Sequence, residues 1–225
     1  GCEPVCCDGN APMPFARGSF GYAMCSDAFQ YIWTKRQFVG EMLRLVDGHE
    51  PGAVVVNHTH NQLTWSPSHG QPLSPAGYRD LFETMEARIY GEAGLFADVV
   101  KGGPLDLSNV DAEDVLNLDP ALTIVASRHL GVYDRHPLST PTGQSSEFRI
   151  NPLYDVDPRA GELHLRLRFP NPDYEDEYGA CKQYLPDEAI VQQADLTTLQ
   201  ATGDPGPLAD LLRRRVIVEL PTNYY

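Results

Sequence analysis

The sequence predicts an α+β fold, with a mixed or antiparallel sheet packed against an N-terminal helix and a second, central helix. Three patterns carry this expectation. Apolar residues recur at three-and-four spacing through Ala28, Phe29, Ile32, Trp33, Val39, Met42, Leu43 and Val46, and again through Tyr78, Leu81, Phe82, Met85 and Ile89. Ala53-Val54-Val55-Val56 is a β-branched run of the kind that fills a buried strand. Leu163, Leu165, Leu167 and Phe169 alternate with His164, Arg166 and Arg168, the period of a half-exposed strand.

In chain order, residues 1–20 are rich in Cys, Gly and Pro without periodicity and read as an extended arm, leaving 21–225 as a single α+β domain. Ser26 is the expected N-cap of the first helix, which Gly48 ends. Pro51-Gly52 turns the chain into the strand at 53–56, whose end carries Asn57-His58-Thr59-His60. Ser74-Pro75 supplies a cap and a first-turn proline for the second helix, which stops before Gly91. A loop with a short helix at 112–116 leads to expected strands at Leu122–Val125 and Leu130–Tyr133. Beyond the alternating strand, Pro170-Asn171-Pro172 is a stop, and the acidic run 173–178 is expected to be a solvated loop. Strands near 189–191 and 216–218 and a short helix at 208–212 complete the pattern, with no internal repeat.

Composition narrows the classes of function. The net charge of −14, from 31 acidic against 17 basic residues, disfavours a nucleic-acid partner because an acidic surface repels phosphates. Apolar runs fall far short of the roughly 20 residues that span a bilayer, so a soluble chain without a membrane partner is expected. The cysteines are Cys2, Cys6, Cys7, Cys25 and Cys181; an odd count leaves at least one free thiol and favours a reducing intracellular compartment. The Cys2, Cys6, Cys7 cluster lacks the second pair that a zinc site usually presents.

Cys25, read at the mouth of the first helix, would feel the positive end of the helix dipole, which favours a nucleophilic thiolate. Downstream, Asp134-Arg135-His136 follows an apolar segment and supplies an imidazole with a carboxylate two residues away to orient it. These patches, with the Gly- and Ser-containing loop Gly143-Gln144-Ser145-Ser146, resemble papain-like cysteine peptidases, and more narrowly the deubiquitinase domain of herpesvirus large tegument proteins. The resemblance implies a viral thiol protease that hydrolyses a peptide or isopeptide bond, with a protein substrate such as ubiquitin and no cofactor. Cys25 would be nucleophile, His136 general acid/base and Asp134 its orienter. No glutamine precedes Cys25 as that family would have it; Asn10 is the amide candidate for the oxyanion site.

Two other readings stand beside it. His58 and His60, at i and i+2 of a strand end, can share a metal ion, with His49, His69 or Asp80 as third ligand, in a metal-dependent hydrolase. The third is a non-enzymatic assembly protein such as a viral shell component, which the Gly and Pro content, the arm and the tyrosines would suit.

Overall fold

The computed structural model describes residues 4–66, 70–138 and 146–221. The chain is α+β, and it divides into two compact units, Gly1–Leu95 with Asp106–His136 and Phe96–Leu105 with Pro137–Tyr225. Each has its own apolar core, where the sequence reading expects one domain over 21–225.

The first unit contains β1 (Tyr22–Ser26), α1 (Lys35–Val46), β2 (Ala53–His60), α2 (Pro75–Leu81) and β3 (Ala87–Gly91). The chain then passes through α3 (Glu92–Lys101) and β4 (Leu105–Asp106) to α4 (Glu113–Leu116), β5 (Ala121–Ser127) and β6 (Arg135–His136). Its four-stranded sheet runs β1-β2-β5-β3 and is mixed: β1 is parallel to β2, while β5 is antiparallel to both of its neighbours. Val54 and Val56 of β2 and Leu122 and Ile124 of β5 are fully buried, as the β-branched run predicts. Phe38, Val39, Met42 and Val46 of α1, with Tyr78 of α2, complete the core.

Both expected helices exist, with different bounds. The stretch from Ser26 is not a helix start, because β1 occupies 22–26, a short 3₁₀ turn takes Phe29–Tyr31, and α1 begins only at Lys35. Apolar spacing at 28–33 serves core contacts of a turn, which the three-and-four pattern alone cannot separate from a helix. Ser74 does cap α2, its Oγ accepting from the Gly77 N–H at 3.2 Å, but Ile89 belongs to β3. Leu130–Tyr133 forms a 3₁₀ turn in place of a strand.

Residues 4–20 of the arm run along α1 without regular structure. The Met13 N–H donates to Glu41 Oε2 at 2.7 Å, and the Arg44 guanidinium donates to the Phe15 and Met13 carbonyls at 2.7 and 3.2 Å and to Glu41. The Arg44 bond, then the Met13 N–H, pulls the Glu41 carboxyl down to about 2. A depressed carboxyl stabilises the fold above its unfolded value and loses that contribution as pH falls through the folded one. After allowing for solvent screening, Glu41→Gln is expected to cost about 1–2 kcal/mol at neutral pH. The deficit should shrink in urea titrations as pH drops below about 4.5 and vanish near 2; a deficit independent of pH contradicts the assignment.

The second unit contains β7 (Ser146–Ile150), β8 (Tyr154–Arg159), β9 (Glu162–Leu167), α5 (Pro172–Tyr178), β10 (Glu188–Gln192), α6 (Gln193–Thr202), α7 (Ala209–Arg213) and β11 (Ile217–Pro221). Strands β10-β9-β8 form one antiparallel sheet and β11-β7 another, around Tyr154, Leu165, Val191, Leu199 and Val216. The alternating segment is β9, as expected. The acidic run at 173–178 is helical, because the Asn171 side chain caps the Tyr174 N–H at 2.8 Å, Pro172 sits in the first turn, and Asp173 and Glu175 suit the positive end of the dipole. Among the described residues, no helix is long and apolar enough to cross a membrane.

Candidate functional site

Parallel pairing of β1 with β2 sets Cys25 opposite Val56 and Ser26 opposite Asn57, so both strands end at the same edge of the sheet. Beyond that register the Asp27 N–H donates to the Asn57 carbonyl at 3.1 Å. Between Val56 and Thr59 the pairing of β2 with β5 shifts by one residue, a bulge that re-aims the strand end. Asp27 and His58 lie here with φ of 47° and 51°, a left-handed conformation that non-glycine residues seldom adopt and that clusters at functional sites.

The side chains of Asp27, His58 and His60 converge, each offering a ligand atom within 4.8 Å of the others. His58 is held from behind: its N–H donates to Glu92 Oε1 at 2.7 Å and its Nδ1 meets Glu92 Oε2 at 2.8 Å. Thr123 Oγ1 also donates to Glu92 at 3.1 Å. Burial pushes the Glu92 carboxyl up, but the His58 bonds and charge outweigh it, leaving it below the ordinary carboxylate range and therefore ionised. His60 is buried, with Ser66 Oγ 3.2 Å from its Nδ1 and its Nε2 4.0 Å from Asp27 Oδ1. Tyr78 Oη donates to the His60 carbonyl at 2.9 Å, which fixes the strand end against the core.

Two acceptors beside this cluster are unusual. Gln30 is wholly buried; its Nε2 donates to Asp27 Oδ1 at 2.9 Å, yet its Oε1 has no partner among the described residues. Asn57 donates through Nδ2 to Ser26 Oγ at 3.0 Å, and its buried Oδ1 likewise has no partner among the described residues. An unsatisfied buried acceptor costs about 1–3 kcal/mol, so such an atom calls for an explanation. Gly70 keeps Gln30 in place by close approach, since a Cβ there would stand 2.8 Å from Gln30 Cβ.

The proposed cysteine triad is not assembled. Cys25 lies within β1 and not at the start of α1, and burial pushes its thiol up to about 11 against a weaker opposing bond with the Ala28 backbone. A thiol so raised stays protonated near neutrality, the reverse of what a nucleophile needs. His136 turns Nε2 to the Val132 carbonyl at 2.9 Å, and Asp134 is exposed, with its carbonyl accepting from the Leu107 N–H at 3.3 Å. The Asn10 carboxamide oxygen accepts from the Trp33 and Thr34 N–H groups at 2.8 and 3.2 Å, while its Nδ2 donates to Asp8 at 3.2 Å. Asn10 thus ties the arm to the start of α1 and does not serve an oxyanion.

His58 and His60 do meet, but the third member is Asp27. His49 Nε2 is paired with the Gly18 carbonyl at 2.7 Å, and Asp80 sits on exposed surface of α2. Cys2, His69, Gly143, Gln144 and Ser145 lie outside the described residues.

No protein-family model matches the chain. It is 31% identical over 71 residues to a Mycolicibacterium smegmatis protein assigned as an S-adenosylmethionine-dependent methyltransferase. The matched part is 32% of this chain and 26% of that relative, so the chain spans about a quarter of the curated relative it matches. A crystal structure of a Bacillus halodurans protein assigned as a methyltransferase covers 58% of this chain and 70% of its own at 13% identity; its TM-score of 0.30 is too low to argue a shared fold. The methyltransferase similarity, with the buried Cys25 and the separately engaged His136, overturns the viral thiol protease and deubiquitinase reading. It favours neither the metal-dependent hydrolase nor the shell component.

Proposed function

We propose that the first unit binds S-adenosylmethionine at the carboxyl ends of β1 and β2 and takes part in transfer of its methyl group to an acceptor. The observation that carries this is a pair of carboxamide oxygens without a partner among the described residues, Gln30 Oε1, whose amide is bonded to Asp27, and Asn57 Oδ1. Gln30 lies in the turn after β1 and Asn57 on β2 opposite Ser26, beside the carboxyl end of β1, and open sheets receive ligands at the carboxyl ends of their strands. The identity shared with the M. smegmatis protein supports the choice of ligand.

The residues present fit such a ligand. S-adenosylmethionine presents an ammonium, an adenine amine and ribose hydroxyls as donors, together with a sulfonium charge; the site presents acceptors and a carboxylate. When bound, it supplies an electrophilic methyl carbon. Gln30 and Asn57 would grip donor groups through these two oxygens. The net charge of −14 points the same way, toward a cationic ligand.

Calorimetric titration of S-adenosylmethionine into the purified chain tests this. Saturable one-to-one binding is expected, weakened roughly tenfold in Gln30→Met, which keeps the volume and removes both the open acceptor and the Nε2 bond to Asp27. A folded wild-type chain that takes up no ligand and transfers no labelled methyl group ends the proposal.

A further inference from the structure

We infer that Asp27, His58 and His60 form a binding site for one divalent transition-metal cation of the nitrogen-preferring kind, such as zinc or cobalt. Two imidazoles and one carboxylate are a donor set that suits these ions and not magnesium or calcium, which take oxygen ligands. The three ligand atoms come from two separate segments, Asp27 beyond β1 and the histidines on β2, and parallel pairing of those strands brings them within 4.8 Å of one another.

The spread suits an ion with modest adjustment. In a tetrahedral shell with bonds of about 2.1 Å, ligand atoms stand about 3.4 Å apart, so closure needs side-chain shifts of roughly 1 Å. The Asp27 side chain is 46% exposed and has room to make that shift. Backing groups already orient both rings. His58 Nδ1 lies 2.8 Å from Glu92 Oε2, and Ser66 Oγ stands 3.2 Å from His60 Nδ1. Carboxylate and hydroxyl partners of this kind hold metal-binding imidazoles in their tautomer and raise their basicity.

Gln30, wholly buried, braces the Asp27 carboxylate of this cluster through Nε2 at 2.9 Å. Among the described residues, this is the one group of three or more His, Cys, Asp or Glu side chains with ligand atoms this close.

The test is titration of the purified full chain with cobalt alone and zinc alone, without any methyl donor, so that failure here and failure of S-adenosylmethionine binding are separate results. One equivalent is expected to bind, with cobalt giving the visible absorption of a low-symmetry nitrogen and oxygen shell. His58→Gln and His60→Gln should each weaken binding by at least about tenfold. Asp27→Asn should weaken it similarly while leaving the fold intact, since asparagine tolerates the left-handed backbone at this half-exposed position. That variant decides the matter even if a histidine variant misfolds. The exposed Cys6 and Cys7 give the competing site, so Cys6→Ser with Cys7→Ser is the control. Retained binding in that control supports the inference. No binding to the wild-type chain, equal binding in Asp27→Asn, or loss only with the cysteines overturns it.

Discussion

Phe29→Ala is expected to cost the first unit about 4 kcal/mol. Phe29 is fully buried in the turn that follows β1, with its ring 5.9 Å from Phe38 of α1 and 5.7 Å from Tyr78 of α2. Truncation removes the transfer free energy of the ring and leaves a cavity between two helices and the sheet, which cannot collapse without moving α1 or α2. The consequence reaches the site, because Phe29 stands between Asp27 and Gln30 and pins the turn that positions both. Urea unfolding of wild type and variant measures the loss. A change under about 1 kcal/mol would show that the site turn is not anchored by this ring. Phe29→Leu, which keeps most of the volume, should fall well below the alanine value.

Glu92→Ala is the second such change. The carboxylate accepts from the His58 N–H, His58 Nδ1 and Thr123 Oγ1 at once, and its removal strands all three donors with little access to water. Breaking a buried charged pair by deleting one partner typically costs 3–5 kcal/mol, and about 3 kcal/mol is the expectation here because His58 retains some exposure. Glu92→Gln keeps an oxygen for the backbone and hydroxyl donors and should recover about half of the loss. Thermal and urea unfolding report the stability, and the imidazole proton spectrum of His58 reports whether its tautomer is released. A variant as stable as wild type would mean that the bulge at His58 is held by β5 alone.

The helix α1, the cap of α2, the buried run of β2 and the alternation of β9 were legible because each is a local pattern, carried by residues within one or two turns of each other. So was the His58 and His60 pair, whose spacing by two survives in the strand end. The stretch 26–33 misled for the same reason. A turn that buries Phe29 and Gln30 shows apolar spacing close to that of a helix, and only β1, an edge strand of five residues, tells them apart. The helix at 172–178 was missed because its residues look like a solvated loop, whereas its cap and first-turn charges do the stabilising.

Taken alone, the sequence determined the α+β class, the two main helices of the first unit and the presence of two imidazoles at the end of a buried strand. Tertiary structure alone decided that Cys25 is a strand residue with a raised thiol, that His136 is committed to the Val132 carbonyl, and that Asp27 and Gln30 join His58 and His60. The reason is physical. Parallel pairing of β1 and β2 places side chains about thirty residues apart at one sheet edge, and strand register is settled by which faces the core buries, a property of the packed whole and not of any short segment.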